Sequence, residues 1–369
     1  MNKKLKVLFI PVEQGLGGSA VYRLTLPAIH LNKRDKIDAV VELAVNVSAD
    51  LIDMVDMVIF QRPASQGIMR IMQYCYTEGK KIVIDTDDLL TAVPEWNPVA
   101  VAYPQANLSI YRKMLGMADL VTVTTPYLAQ KVQKMTKRIE VLPNCVDLSL
   151  YEQSKGAMIE KDKKIRILWA GSGTHQKDFE IIEDVPLKLI DKYNITFIVY
   201  GQFPEAFKGS KFKPYMHTNL EYWGYSPFTY YYATLNRINA DIGIAPLLDI
   251  KFNNCKSELK ILEYGMMGLS VVASDVYPYS IPVKNGVNGF LVKNKFSAWY
   301  DKLALLIENE QKRKEMANKL LDKVKNDYDI KTQVYKWEEV YLSLRETRTT
   351  EMPVTEMPAG SKILIPTGY

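Results

Sequence analysis

The feature that most constrains the fold is a strand, a glycine-rich loop and a helix in succession, which the chain shows twice. The first copy runs from an apolar segment at residues 5–12, through the glycines of residues 15–19, to helical spacing of apolar residues at 22–31. The second copy repeats the same order as a strand at residues 165–170, a glycine-containing loop at 171–174 and a helix predicted at 179–193. Because parallel sheets covered by helices are built from such repeats, the pattern predicts an α/β chain with two nucleotide-fold halves.

Further short apolar segments rich in β-forming residues predict the remaining strands. In the first half they are residues 57–61, 81–85, 120–124 and 139–142, with helices predicted at 68–78 and 127–137. In the second half they are residues 195–200, 242–245 and 270–273, followed by helices predicted at 296–309, 311–328 and 332–345.

The polar stretch at residues 147–163 has no apolar periodicity and is the predicted linker. We therefore expect an N-terminal Rossmann-like domain at 1–150, onto which the helix at 332–345 packs back, and a C-terminal Rossmann-like domain at 151–330. The tail at 346–369 contains Thr-Glu-Met-Pro twice and is expected to be flexible. Open parallel sheets bind ligands beyond the carboxyl ends of their strands, so two such edges would border a central cleft.

Composition limits the class of protein. The chain has 369 residues, long enough for two domains, and 47% hydrophobic with 24% charged residues is typical of globular proteins. A formal net charge of +5 is below that of a dedicated nucleic-acid binder but compatible with an anionic ligand. Three scattered cysteines form no zinc motif and favour a reducing compartment. No apolar stretch has the length of a membrane span, so a cytoplasmic protein is expected.

The segment at residues 253–268 carries the most chemical information. Ser257 is the predicted N-cap of a helix, Lys260 falls in its first turn, and a glycine ends it. Lys256 and Lys260 oppose the helix dipole unless an anion lies there, and a diphosphate would use the free N–H groups. Glu263, one turn further, is placed to accept hydrogen bonds from a ribose diol. The alternative is a solvated charged face.

Residues 256–275 resemble the donor-binding region of retaining GT-B glycosyltransferases, family 4 and its relatives, in which two Glu stand seven residues apart. Glu263 matches the second Glu, which holds the ribose in that family, whereas Cys255 occupies the position of the first. Residues 142–147 and 286–292 resemble two further segments of the family. The resemblance implies a GT-B fold, in which the domain at 1–150 binds the acceptor and the domain at 151–330 binds the donor, and sugar transfer with retention. Cys255 leaves the identity of the sugar open.

The loop that follows the second copy's first strand corresponds to the family loop that supplies an Arg and a Lys to the diphosphate. Gly171 opens it, Ser172 stands at the Arg position, and Lys177 corresponds approximately to the Lys. His175 is one of three histidines and is a candidate catalytic residue. A polar surface role for His175 is the alternative.

The other predicted nucleotide contacts come from the ends of later strands and from the helix segment. Tyr200, Gly201 and Pro246 end strands of the second half, which would place them around the base. Asn253 and Ser257 lie in the segment assigned to the nucleotide. The aromatic residues at 222–232 form either a stacking surface or ordinary packing.

In the first half, Gly17 and Gly18 belong to the loop after the first strand, where glycine allows backbone to approach a ligand. A plain strand-to-helix turn is the alternative. Arg23 follows and is predicted to face the acceptor or a phosphate.

Asp85, Asp87 and Asp88 stand within four residues at a predicted strand end. Carboxylates this close repel one another unless a cation or a donor relieves them. Asp87 and Asp88 are candidate catalytic residues that would orient an acceptor hydroxyl, and either is also a candidate helix N-cap. The rival interpretation is a GT-A-like Asp-x-Asp site in which Asp85 and Asp87 hold manganese.

The predicted function is transfer of a sugar from a nucleoside-diphosphate sugar, UDP- or GDP-linked, to an acceptor hydroxyl, with no cofactor and no metal. The acceptor is left open among a saccharide, a lipid-linked sugar, a protein and modified phage-type DNA, as is the oligomeric state. The alternatives are a GT-A-like metal-dependent transferase, a GT-B epimerase or phosphorylase, and a nucleotide-sugar-binding protein without activity.

Overall fold

The structure is a computed structural model that describes residues 3–11, 18–156, 159, 163–216 and 218–345. The described residues form two compact units. One contains residues up to 91, 101–143 and 334–345, and the other contains 92–100 and 144–333. The predicted tail at 346–369 lies outside the described residues, as do several residues of the predicted linker.

The first unit is built on a six-stranded, wholly parallel sheet in the order β2-β1-β3-β4-β5-β6. Its strands are β1 Leu5–Ile10, β2 Ile37–Val41, β3 Met57–Gln61, β4 Lys81–Thr86, β5 Leu120–Val123 and β6 Ile139–Val141. Its helices are α1 Leu26–Asn32, α2 Ala49–Asp53, α3 Gln66–Thr77, α4 Gln105–Met117 and α5 Pro126–Val132. Every residue of β3 is buried, as expected for a strand in a sheet covered on both faces.

Two elements of this sheet differ from the sequence predictions. Strand β2 was not predicted because it is an edge strand in which the exposed Asp38 breaks the apolar run. The helix predicted at residues 22–31 instead begins with a wide π-helical turn, Val21–Thr25, followed by α1. Pro27 lies in the first turn of α1 and has no N–H to donate to a carbonyl one turn earlier, which interrupts the hydrogen-bond ladder.

The second unit has a second six-stranded parallel sheet, in the order β12-β11-β10-β7-β8-β9. Its strands are β7 Ile165–Gly171, β8 Ile195–Gly201, β9 Leu220–Trp223, β10 Ile242–Ala245, β11 Ser270–Ser274 and β12 Phe290–Val292. Its helices are α6 Leu148–Gln153, α7 Gln176–Phe179, α8 Val185–Lys192, α9 Phe228–Ile238, α10 Lys251–Asn254, α11 Leu259–Met266, α12 Tyr277–Ser280, α13 Phe296–Glu308, α14 Glu310–Asp327 and α15 Ile330–Gln333.

Here too the structure corrects the predictions. The predicted linker contains α6, whose first turn is capped by Asp147 accepting from the Leu150 N–H at 2.9 Å. The helix predicted at 179–193 is divided into α7, a 3-10 turn and α8, which restarts with Pro186 in its first turn. The edge strand β9 lies in the aromatic run that the sequence did not predict as a strand.

A final helix, α16 Tyr335–Arg345, belongs to the first unit. The ring of Tyr341 packs edge-on against that of Phe9 on β1, with centroids 6.1 Å apart. The Glu338 carboxylate forms ion pairs with Arg34 and with Lys36, so the chain's last described helix completes the cover of the first sheet. No helix within the described ranges is long and apolar enough to cross a membrane.

Candidate functional site

The site of the second unit follows from its strand order. Strands β8 and β9 lie on one side of β7, whereas β10, β11 and β12 lie on the other. The connections after β7 and β10 therefore leave the sheet in opposite directions and open a crevice between their carboxyl ends. Ligands of open α/β sheets bind at such a switch point.

Asp178 on α7 ties the two sides of this crevice together. Its carboxylate is buried and receives His175 Nδ1 at 2.8 Å, from the loop after β7. Its other oxygen accepts from the Leu248 N–H at 2.8 Å and from Asn253 Nδ2 at 2.9 Å, both from the segment after β10. A carboxylate with three such partners fixes the histidine ring through Nδ1, so that Nε2 is the nitrogen left for a ligand.

The loop residues predicted to meet a diphosphate are placed differently from one another. Ser172 Oγ and Thr174 Oγ1 are 2.7 Å apart, close to the end of β7. Lys177 is exposed and pairs with Glu180 at 2.8 Å on its own turn of chain. The ring of His175 is therefore fixed by its hydrogen bond to the buried Asp178, whereas Lys177 is a surface side chain that can change rotamer.

Gly201 and Gly171 show why these strand ends require glycine. Gly201 has a φ of 102°, and a Cβ there would lie 2.4 Å from the Gly171 carbonyl oxygen. Only glycine fits both the backbone conformation and this approach. The neighbouring Tyr200 is buried, its hydroxyl is hydrogen-bonded to Ser226, and its ring stacks on Tyr231 at 5.5 Å.

At the end of β10, Pro246 is buried and precedes a small hydrogen-bonded ring. The Leu247 N–H donates to Ser274 Oγ at 2.8 Å, and Asn294 Nδ2 donates to the Leu247 carbonyl at 2.8 Å. These bonds fix the backbone of the β10 and β11 ends, which positions Pro246 beside the crevice.

The helix α11 begins later than predicted. Glu258, and not Ser257, is its N-cap residue. The Ser257 hydroxyl instead accepts from Asn144 Nδ2 at 2.8 Å, so its oxygen is used by another segment. The predicted end is confirmed, because Gly268 follows the last turn with a φ of 72°.

Glu263 on α11 accepts from one side chain of its own helix and one of α9. Its carboxylate is buried, with 4% of the residue exposed, and accepts from Lys260 Nζ at 3.0 Å. The Tyr231 hydroxyl is a second donor, and burial together with the Glu263 charge raises the pKa of Tyr231 well above its ordinary value. Tyr231 therefore remains a protonated donor. The arrangement is a buried carboxylate flanked by a cation and an aromatic stack.

Lys256 and Cys255 are the two other residues of this segment that the sequence analysis singled out, and Cys255 is the more deeply buried of the two. Lys256 Nζ lies 4.5 Å from the centroid of the Phe252 ring, one turn before α11. Cys255, which stands where the family has its first Glu, is fully buried. Its thiol therefore lies in the core and is not presented to a ligand.

In the first unit, Arg23 does not face a ligand, and that prediction was wrong. Its guanidinium is fully buried and binds Asp85 through two contacts, Nε to Oδ1 at 3.0 Å and Nη2 to Oδ2 at 2.6 Å. Arg23 also donates to the Leu142 carbonyl at 2.5 Å, and Thr122 Oγ1 donates to Asp85 at 2.7 Å. Asp85 is therefore a saturated interior carboxylate, which makes it unsuitable as a metal ligand.

Asp87 and Asp88 face Arg62, a residue that the sequence analysis did not select. Arg62 Nε lies 3.4 Å from Asp87 Oδ1 and Nη1 lies 3.8 Å from Asp88 Oδ2. Burial raises the pKa of Asp87, and the neighbouring Asp88 charge raises it further, although Arg62 opposes both. The Arg62 guanidinium supplies positive charge to Asp87 and Asp88, as Arg23 does to Asp85. The sequence feature that could have identified Arg62 is its position as a basic residue directly after a buried strand.

Of the glycine loop, Gly17 lies outside the described residues, and Gly18 has a φ of 54°. The following Ser19 hydroxyl accepts from Gln61 Nε2 and from Arg62 Nη2, both at 3.1 Å. The loop after β1 is thereby joined to the end of β3. Within the described part of the chain, no group of three or more His, Cys, Asp or Glu side chains is arranged to hold a metal ion.

Residues 164–309 match the family model described as Glycosyl transferases group 1. No curated protein matches the chain in sequence.

Solved structures resemble the chain over almost its whole length. Anabaena Alr3699/HepE in complex with UDP has a TM-score of 0.67 at 14% identity, covering 92% of this chain and 100% of that chain. Sucrose-phosphate synthase from Thermosynechococcus elongatus has a TM-score of 0.67 at 11% identity, covering 93% and 99%. An alpha-glucosyltransferase in complex with UDP-glucose and DNA containing an abasic site has a TM-score of 0.64 at 12% identity, covering 93% and 100%.

At these identities the structural likeness concerns the fold. The two wholly parallel sheets and these neighbours give the GT-B class with two Rossmann-like domains, and the GT-A alternative is wrong. The second unit carries the group 1 domain on the helix and strand ends described above. The chain is accordingly a glycosyltransferase whose residues 164–309 form a group 1 domain.

Proposed function

We propose that the protein transfers a sugar from a uridine- or guanosine-diphosphate sugar to an acceptor hydroxyl, with retention at the sugar carbon and without a divalent metal. The single observation that carries the proposal is the buried Glu263 carboxylate on α11, which accepts from Lys260 and lies beside Tyr231. Burying a charge is costly unless polar partners surround it. A ribose diol supplies two further donors to such a carboxylate.

Positive groups close to this carboxylate suit the diphosphate. Lys256 precedes the N-terminus of α11 and Lys260 lies in its first turn, where the helix dipole also favours an anion. His175, oriented by Asp178, presents Nε2 from the other side of the switch point. Lys256, Lys260 and Lys177 would stabilise the negative charge that develops on the leaving diphosphate.

The base is proposed to lie against the strand ends at Tyr200, Gly201 and Pro246. The small backbone at Gly201 allows close approach, and the Tyr200–Tyr231 stack offers an aromatic wall. Two solved neighbours of the same fold hold UDP or UDP-glucose, which makes uridine the first base to test.

Metal independence is inferred from two arginines that contact the aspartates of the first unit. Asp85 is used by Arg23, and Arg62 stands between Asp87 and Asp88 as their counter-charge. In such a mechanism the acceptor oxygen forms the new bond to the sugar carbon while the bond to the diphosphate breaks. The acceptor proton leaves with a diphosphate oxygen.

The test is a thermal-shift series with UDP, GDP, ADP, CMP and their sugars, each with and without EDTA. We expect one nucleoside diphosphate to raise the Tm, unchanged by EDTA. A shift that disappears with EDTA contradicts metal independence. No shift with any nucleotide contradicts the donor site.

A further inference from the structure

A cavity of about 340 Å³ lies at the opposite edge of the second sheet from the donor crevice. It is bordered by the C-terminal ends of α6, α9 and α11 and by α14. Helices α9 and α11 end shortly before β10 and β11, so the cavity lies at the amino ends of these strands, whereas the donor crevice lies at their carboxyl ends. The volume is within the range of about 300–1,000 Å³ that is usual for small-molecule sites.

The walls of this cavity are mainly apolar. They include Leu148 and Tyr151 of α6, Leu235 of α9, Met266 and Met267 at the end of α11, and Leu321 of α14. Methionine side chains are unbranched and adapt to ligands of different shape. An apolar ligand that fills the cavity is therefore stabilised by the surface that it removes from water.

One polar side chain that lines the cavity makes no hydrogen bond with any residue that the structure describes. It is Asn236 of α9, of which 5% is exposed. Buried side-chain amides are normally hydrogen-bonded. Because a carboxamide both donates and accepts, Asn236 suits the hydroxyl or amide group of a ligand.

The charges around the cavity nearly cancel. The C-terminal ends of α6, α9 and α11 each carry a partial negative charge. Lys155 and Lys325 line the same cavity, and Lys155 also pairs with Glu152 at 2.7 Å. An ionic ligand of either sign meets no strong counter-charge there, although its burial would cost free energy. The cavity therefore favours an uncharged molecule.

Helices α9 and α11 also form part of the donor crevice at their other ends. There the Tyr231 hydroxyl of α9 donates to the Glu263 carboxylate of α11. The cavity residues Leu235 and Met267 lie about one turn further along the same two helices, and one turn rises about 5.4 Å. A ligand that packs against both helix ends therefore also restrains the pair at the proposed ribose site.

We propose that this cavity binds an uncharged amphiphile, an aliphatic chain with one hydroxyl or amide group, and that its occupation strengthens nucleotide binding in the donor crevice. The apolar walls bury the chain, and the Asn236 carboxamide binds the polar group. A filled cavity holds the ends of α9 and α11 in the arrangement in which Tyr231 donates to Glu263. The binding site depends on the cavity alone, whereas the effect on the nucleotide rests on the proposed function.

The first experiment measures the binding of primary alcohols, from 1-butanol to 1-dodecanol, to the full chain without nucleotide. Saturation-transfer NMR below the solubility limit of each alcohol gives the Kd. Each added methylene group should lower the Kd about threefold to fourfold while it is buried. The cavity has room for about eleven groups of the volume of a water molecule, so the gain should stop at about ten carbons.

Octylamine and octanoate test whether the ligand is uncharged. Both are charged at neutral pH and have the same chain length as 1-octanol. Each should bind at least about tenfold more weakly than 1-octanol, because the charge loses its hydration without gaining a counter-charge.

Two variants test the walls. Asn236→Leu should raise the Kd of 1-octanol about fivefold, the scale of one hydrogen bond, without lowering the Tm. Leu321→Trp fills the cavity from α14 and should raise the Kd at least about tenfold. The matched control is Leu187→Trp, a half-buried leucine of α8 that does not line the cavity, which should leave the Kd unchanged.

Calorimetry then tests the connection to the donor crevice. Saturating 1-octanol should lower the Kd of UDP about fivefold in the unmodified protein and in Leu187→Trp. Saturating UDP should lower the Kd of 1-octanol by the same factor, as thermodynamic linkage requires.

The site is overturned if no alcohol binds, if affinity still rises between ten and twelve carbons, or if 1-octanol binds Leu321→Trp and Asn236→Leu as it binds the unmodified protein. Octanoate or octylamine binding as tightly as 1-octanol overturns the uncharged class. Octanol binding that leaves UDP affinity unchanged overturns the effect on the nucleotide. An unmodified protein that binds no nucleotide contradicts the proposed function and this effect together, and the alcohol series still decides the site.

Discussion

The two sheets of this chain have the same parallel architecture but present opposite hydrogen-bonding groups at their switch points. In the second sheet, Asp178 is satisfied internally, and the charged donors of the site are Lys260 and Lys177. In the first sheet, Arg62 is turned towards Asp87 and Asp88, whose carboxylates are acceptors. A donor-rich edge suits a diphosphate and an acceptor-rich edge suits hydroxyls, so one fold repeated twice can serve two different substrates.

Substitution of Asp85, the buried partner of Arg23 in the first sheet, has the largest expected effect. In Asp85→Asn the fully buried Arg23 loses its counter-charge, which should lower the free energy of unfolding by about 3–5 kcal/mol. Urea unfolding measures it, and Asp38→Asn should stay within about 0.5 kcal/mol of the unmodified protein. A loss below about 1 kcal/mol would show that the pair is not structural.

Glu263 tests the donor-rich edge. Glu263→Ala removes the buried carboxylate on α11 and should weaken UDP binding by about 1–3 kcal/mol, measured by calorimetry. Asp301→Ala, an exposed acid on α13, is the matched control and should bind normally. Unchanged affinity in a folded Glu263→Ala protein would remove the ribose assignment.

The two lysines sharpen the comparison further. Lys256→Ala should lower the turnover rate of sugar transfer about tenfold, because the lost charge lies at a helix N-terminus where the leaving diphosphate would bind. The Tm should change little. Lys177→Ala should have less than about a threefold effect, since Lys177 is exposed and paired with Glu180. Equal effects, or a large Tm loss with normal turnover in Lys256→Ala, would reverse these roles.

Asp87 provides the smallest expected effect and a pH signature. Burial raises its pKa, so the folded protein holds this proton more tightly than the unfolded chain, whose Asp pKa is about 3.9. The resulting stabilisation is present below that pKa and is lost as the pH rises through the raised value. Asp87→Asn should therefore be as stable as the unmodified protein or more stable at pH 7, by up to about 1 kcal/mol, and lose that advantage near pH 4.

Thermal unfolding between pH 4 and pH 8 would measure the dependence. Asp38→Asn should show no such trend. An Asp87→Asn protein that is destabilised most at neutral pH would mean that Arg62 stabilises the ionised carboxylate more than burial opposes it.

Several elements were predictable because their signal is local. The strands Met57–Gln61 and Ile242–Ala245 are continuous apolar runs, and the structure has them at the predicted residues. The edge strands β2 and β9 were missed because one face of each is solvated and the apolar run is broken. Ser257 was predicted as an N-cap from its residue type, but Asn144, distant in sequence, uses its oxygen.

The sequence by itself determined two parallel α/β halves and placed Glu263 on a helix at a strand end, because apolar periodicity and glycine positions act over a few residues. Only the tertiary structure decided which partners each charged side chain binds. Arg23 pairs with Asp85 across 62 residues, and Asp178 meets Asn253 across 75. The energy of a buried charge depends on the partners that surround it in space. Asp85 therefore became a core carboxylate with three donors, whereas Asp87, two residues later, became a buried carboxylate that faces Arg62.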